Sequence, residues 1–236
     1  ATDVDPVNLK KPRDYFESVT YNGTGVRNKI KSLDFQPDFI WIQNIKSTSG
    51  YYSALIDSLR GVNSILSANS TGVEQTSYIQ QLKSFDTNGF SLGNNSGGGN
   101  YVNLAGNNYI AWAWKAGGTP TVDNTASAGA APTPGSVMID GVASTADLAG
   151  SIAATKISAN TKSGFSIVSF TGNDTSGASV AHGLGVKPQL ILFKARTRDN
   201  NWGVYAEPIT ANKFLVLNDD AAEGDSTTPF NDTEPT

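Results

Sequence analysis

The sequence predicts an all-β protein: tandem antiparallel β-sandwich modules of jelly-roll or lectin-like type, joined by a Gly/Ala/Thr/Pro-rich linker. Three observations predict it. The chain repeats itself, and a repeat has to be read before anything else. Val19, Tyr21 and Gly23 match Val168, Phe170 and Gly172, and Leu33, Phe35 and Pro37 match Leu184, Val186 and Pro188. The run Phe39-Ile40-Trp41-Ile42 matches Leu190-Ile191-Leu192-Phe193, and Leu66-Ser67-Ala68-Asn69 matches Leu215-Val216-Leu217-Asn218. Next, the apolar segments are short, bounded by turn residues, and show almost no helical period. Last, Gly, Asn, Ser and Thr are abundant, as expected of strands joined by many turns.

Taken in order, residues 1–13 read as an N-terminal arm or docking segment, rich in Pro and charge. The first module spans 14–116. Phe16 to Tyr21 alternates and stops at Asn22-Gly23, a strand closed by a turn. Phe39 to Ile45 is a continuous apolar run after Pro37 and reads as a buried strand. Tyr51 to Ile56 and Ser64 to Ala68 are further strand candidates. Asp86-Thr87-Asn88-Gly89 reads as a turn into Phe90-Ser91-Leu92. Trp112 and Trp114 are two apart, so they share one face of a strand over Tyr109 to Trp114. Pairing the first strand with the last limits exposed edges. Tyr21, Trp41, Trp112 and Trp114 supply aromatic bulk for the core.

Residues 117–163 contain no aromatic residue and read as a linker with short local structure. Ser136 to Ile139 suits a short strand, and Thr145 to Ile157 a small helix with Thr145 as N-cap. The second module, 164–236, repeats the early strands. It reads as incomplete, with no counterpart of Gly89-Phe90-Ser91-Leu92 or of Tyr109 to Trp114.

Composition narrows the function. The net charge is -4 and only 16% of residues are charged, which suits neither nucleic acid nor an anionic membrane surface. No apolar run approaches the roughly 20 residues needed to cross a bilayer as a helix, and ATDVDPVNLKKPRDYF does not read as a signal peptide. The chain has no cysteine, so disulfides, Cys-ligated zinc and thiol nucleophiles are excluded.

Catalytic patterns are equally thin. His182 is the single histidine, and its matched position is Lys31, so the module does not need it; a turn histidine bonded to backbone is the expectation. Gly183-Leu184-Gly185 lacks the third glycine and following helix of a dinucleotide site. Asp219 with Asp220, and Glu223 with Asp225, are adjacent acids in a polar loop rather than a spaced glycosidase pair. The same loop lacks the Gly-centred spacing of a calcium loop. No catalytic residue, metal or cofactor is expected.

Loop aromatics are the feature most consistent with binding. Tyr51 and Tyr52 follow Lys46 to Gly50, and Asn201 and Trp202 follow Arg198 to Asn200 at the corresponding place. Rings beside Asn, Asp and Arg suit a sugar: the ring stacks on its apolar face and the polar groups take its hydroxyls. The competing reading is that Tyr52 and Trp202 start strands and point into a core.

The runs GFSIVSFTGN (Gly164 to Asn173), HGLGVKPQLILFKAR (His182 to Arg196), Trp202 to Tyr205 and FNDTEPT (Phe230 to Thr236) resemble a repeated β-rich domain. It occurs in virion structural and tail fibre proteins of marine tailed bacteriophages, cyanophages and their relatives. The first copy carries Tyr21-Asn22-Gly23, Pro37 to Ile42, Ser84-Phe85-Asp86, Asn88-Gly89-Phe90 and Tyr109 to Gly118, which also look like it. The resemblance covers nearly everything after residue 13 and implies a non-enzymatic virion component, a tail fibre or other tail or capsid appendage contributing to host attachment. It would be assembled in the host cytoplasm. The partners it implies are other virion proteins through the N-terminal arm, a homo-oligomer with the trimer favoured, and a host surface glycan. Nucleic acid and membrane insertion are not expected. The alternatives are a lectin-like carbohydrate-binding module and a polysaccharide depolymerase.

Overall fold

The computed structural model of the chain describes residues 11–46, 52–77, 81–94, 102–225, 230 and 232–236. Among these the protein is all-β, with one short 3-10 turn at Pro12–Asp14 and four small sheets.

The first copy holds β1 (Phe16–Asn22), β2 (Asn28–Ile30), β3 (Phe39–Asn44), β4 (Ala54–Asp57), β5 (Leu82–Asp86), β6 (Gly89–Leu92) and β7 (Asn108–Trp114). These form an antiparallel sheet in the order β1-β7-β3-β4 and a smaller antiparallel sheet in the order β2-β6-β5. First and last strands do pair, Phe16 opposite Trp114 through Asn22 opposite Asn108. The two sheets share one core. Ile40, Ile42, Ile56, Tyr109, Ala111 and Ala113 come from the larger sheet, and Ile30, Leu82, Phe90 and Leu92 from the smaller. Alternation explains the choice: in β3 and β7 every second residue is buried and the residues between are half-buried, Asn108 at the strand start being exposed. Asn103 ties the loops at one end. Its Oδ1 accepts from Thr24 N–H at 3.0 Å, and its Nδ2 donates to the Val26 and Gly93 carbonyls.

Trp41, Trp112 and Trp114 do not enter that core. The buried set is aliphatic and Ala-rich with Phe35, Phe90 and Tyr109, while the three indoles occupy the opposite face. The two-residue spacing correctly places Trp112 and Trp114 together. The expectation that they fill the core fails because this sheet is covered on both faces, leaving two apolar sides to choose between.

The stretch expected as a linker supplies most of a third sheet. β8 (Val137–Ile139), β9 (Val142–Ala143) and β10 (Ala154–Asn160) join β11 (Phe165–Phe170) in the order β11-β10-β8-β9. β8 runs parallel to β10, and the other pairs are antiparallel. Val137, Ala154, Ile157 and Ala159 are buried in a small core of their own. The helix expected over Thr145 to Ile157 is absent. Gly150 has φ +100, and a β-carbon built there would lie 2.7 Å from the Ser179 carbonyl oxygen, so the backbone turns where a helix would continue. Ala154 onward then pairs as β10.

The second copy continues with β12 (Leu190–Phe193), β13 (Gly203–Ala206), β14 (Lys213–Val216) and β15 (Gly224–Asp225), in that order across an antiparallel sheet. The repeat survives in the register. Trp41 lies opposite Leu55, and Leu192, its match, lies opposite Val204. Leu55 bridges Leu66, and Val204 pairs with Leu215. The Asn of the repeat does the same work twice: Asn69 Oδ1 accepts from Ser53 N–H at 3.0 Å, and Asn218 Oδ1 from Trp202 N–H at 2.7 Å.

Candidate functional site

The aromatic face of the first copy is where the two copies meet. Trp41 and Trp112 pack edge to face with centroids 6.0 Å apart, and Phe16 lies 4.8 Å from Trp114. Phe165 of β11 stacks on Trp114 at 5.7 Å and tilts against Phe39 at 5.9 Å. Trp202, at the start of β13, inserts among Leu55, Leu66, Ala68, Phe39, Trp41 and Leu217, and its Nε1–H donates to the Ser67 carbonyl at 2.8 Å. A buried indole whose single donor is satisfied is the arrangement expected of a packing anchor.

Charge closes the same seam. Glu74 accepts from Arg60 Nη1 at 3.0 Å and from Arg196 Nη2 at 2.7 Å, and its N–H donates to the Arg196 carbonyl at 2.9 Å. Arg60 is itself buried and held by Asp57 and the Leu55 carbonyl. Asn200 N–H reaches the Thr71 carbonyl at 2.9 Å. Burial by itself would raise the Glu74 pKa, but the hydrogen bonds and charges of Arg196 and Arg60 outweigh it and hold the carboxyl below its ordinary value.

This geometry decides the sequence-derived binding residues. Trp202 is 5% exposed, so its ring has no free face for a sugar, and the core reading holds for it. It also matches Ser53 rather than Tyr52, as the shared Asn bond shows. Asn201 is exposed and accepts from Asn218 Nδ2 at 2.9 Å. Tyr52 is exposed, while Tyr51 lies outside the described residues. Of the three described residues, Trp202 is buried in the seam while Tyr52 and Asn201 are exposed. His182 is bonded to backbone as expected, its Nδ1 accepting from Leu184 N–H at 3.2 Å.

A second junction lies where β7 leaves the first copy. Gly117 N–H donates to Ser158 Oγ at 2.9 Å, and its carbonyl accepts from Gly141 N–H at 3.0 Å. A β-carbon at Gly117 would sit 2.3 Å from the Met138 oxygen, so only glycine permits this approach. Beside it opens a cleft of about 350 Å³ lined by Tyr15, Gln36, Asp38, Lys115–Gly118, Asp140, Gly141, Asn160 and Lys162. Its carboxylates are turned to the backbone. Asp38 accepts from Ala116 and Gly118 N–H and from Ser58 Oγ, and Asp140 from Thr161. Burial raises the Asp38 pKa despite those bonds. Among the described residues no group of three or more His, Cys, Asp or Glu side chains converges to hold a metal.

The seam residues were hard to find in advance. Glu74 and Arg196 are 122 positions apart, and nothing local marks them as partners. Comparison with known proteins supplies the family. The chain matches twice, over residues 11–136 and 138–236, the family described as a domain of unknown function, DUF7483, and it belongs to that family. The division between the matches falls inside the stretch read as a linker. No curated protein and no solved structure matches.

Proposed function

We propose that this two-copy member of the DUF7483 family is a non-enzymatic structural protein of a tailed-bacteriophage virion, a tail fibre or other appendage that contributes to host attachment. The observation that carries the reading is the docking of one copy on the other through Trp202, Phe165 and the Glu74–Arg196 pair. The aromatic face of the first copy is covered by Trp202 and Phe165 of the second. The resemblance of the GFSIV, HGLG and FNDTEPT runs to repeated phage structural domains supplies the virion context. On this reading each copy is a jelly-roll or lectin-like sandwich, residues 1–13 dock on the particle, and chains associate as trimers. Attachment then arises from weak contacts multiplied over several copies.

Labelled protein added to candidate host cells, in competition with intact phage, tests the proposal. Saturable adsorption that blocks infection supports an attachment role. Antibodies against the chain that fail to decorate any virion would overturn it.

A glycan-binding reading retains one supporting observation, the exposure of Tyr52. A glycan array probed with the protein and with Tyr52→Ala tests it: signal lost with the ring, in a variant of unchanged stability, supports the reading.

A further inference from the structure

In the first copy β7 lies between β1 and β3 and pairs with both. Hydrogen-bond phase identifies the backbone groups that face it. Lys115 N–H donates to the Tyr15 carbonyl at 2.8 Å, so the alternate residues Glu17 and Val19 point their backbone groups at β7. Ile45 N–H donates to the Asn108 carbonyl at 2.8 Å, so Phe39 and Trp41 point at β7 from the other side.

The second copy keeps both flanking strands in the same phase. Ile157 N–H is bonded to the Ser136 carbonyl on the β8 side, so Ser158 and Asn160 face β11, and their partners Ile167 and Phe165 face back. Ser166 and Val168, the matches of Glu17 and Val19, therefore point to the opposite edge. Glu207 N–H donates to the Gln189 carbonyl at 2.7 Å, which turns Ile191 toward β13 and leaves Leu190 and Leu192, the matches of Phe39 and Trp41, pointing away. Both β11 and β12 end their sheets, and no described strand pairs with either of these edges. Side chains tell the same story. Phe35 and Ile42 are 3% and 0% exposed, whereas their matches Val186 and Phe193 are 64% and 37% exposed. Leu190 is 60% exposed.

We propose that the second copy binds a β-strand of β7 chemistry from a partner protein along the edges of β11 and β12 that no described strand covers. Its small residues face inward and its indoles outward, as Ala111 and Ala113 alternate with Trp112 and Trp114 in Asn108–Trp114. Backbone bonds to both edges supply affinity, and the small/aromatic alternation supplies selectivity. The inference rests on the repeat and its register and is independent of the virion reading.

Hydrogen exchange on the full chain tests it, with a peptide of residues 107–116 flanked by lysines as the probe. Exchange at the Ser166, Val168, Leu190 and Leu192 amides slows by about tenfold or more when the peptide is added. Ile167 and Ile191, already bonded to β10 and β13, do not change. A scrambled peptide, and one N-methylated at the positions of Ala111 and Trp112, give no protection. The proposal is overturned if the four amides are already protected in the free chain, or if the N-methylated peptide protects equally. Protection that rises with protein concentration alone would also overturn it, by making a second copy of the chain the occupant.

Discussion

Ile42 and Phe193 hold the same place in the two copies, yet one is sealed in a core and the other is more than a third exposed. The local sequence is not the cause: both sit in apolar runs that pair antiparallel with the next strand in the same register. The difference lies in what covers them. In the first copy β7 joins β1 to β3, and the β2-β6-β5 sheet closes the core beneath. In the second copy β11 instead pairs with β10 on its other edge. A repeat can therefore preserve strand register faithfully while burial, which depends on non-repeated segments, diverges.

The sharpest way to break the comparison is at the seam. Trp202→Ala removes a buried indole and its bond to Ser67, at a cost of about 3–5 kcal/mol. Thermal unfolding followed by exchange should then show the second copy melting separately and earlier, with the first little changed. Trp202→Phe keeps most of the packing and should cost clearly less. One unchanged cooperative transition in the alanine variant would show that the copies do not depend on this contact.

A smaller effect separates the two copies directly. Val19 and Val168 are matched, but only the Val19 N–H faces a paired strand. Proline at Val19 deletes that bond and strands its acceptor, at about 1–3 kcal/mol beyond the side-chain change. Val168→Pro should lack this penalty, because its N–H faces an unpaired edge. Chemical denaturation of the two variants measures the difference, and equal losses would contradict the assigned phase.

A comparable effect is electrostatic. Glu74 has a depressed folded pKa, so its contribution is complete above its ordinary value of 4.5 and declines as pH falls through the lower folded value. Seam stability should weaken in that acid range, and Glu74→Gln should flatten this dependence while weakening the seam at neutral pH by about 2 kcal/mol. Stability followed from pH 6 to 3 in both proteins checks the sign.

Much of the fold was legible because strands declare themselves locally. The repeat, the turn at Asn88-Gly89 and the shared face of Trp112 and Trp114 follow from spacing alone. What spacing cannot say is which face meets the core when both are apolar, and the indoles of Trp41, Trp112 and Trp114 lie on the other side for that reason. The region 145–157 misled because Thr145 and its apolar spacing imitate a capped helix, while a tertiary contact at Gly150 forces a turn. Trp202 stands out in the sequence as a candidate sugar-binding ring, but a ring beside Asn and Arg looks the same there whether it meets a sugar or a neighbouring module.

The Gly117 junction and the Trp202 seam have a mechanical consequence. A single covalent crossing between two units would act as a swivel. Here a second contact, remote in sequence, turns the crossing into a closed bracket, so twist applied to one unit is passed to the other instead of being lost in rotation. A pull on the far unit must first shear the indole from its socket before the chain between them can lengthen.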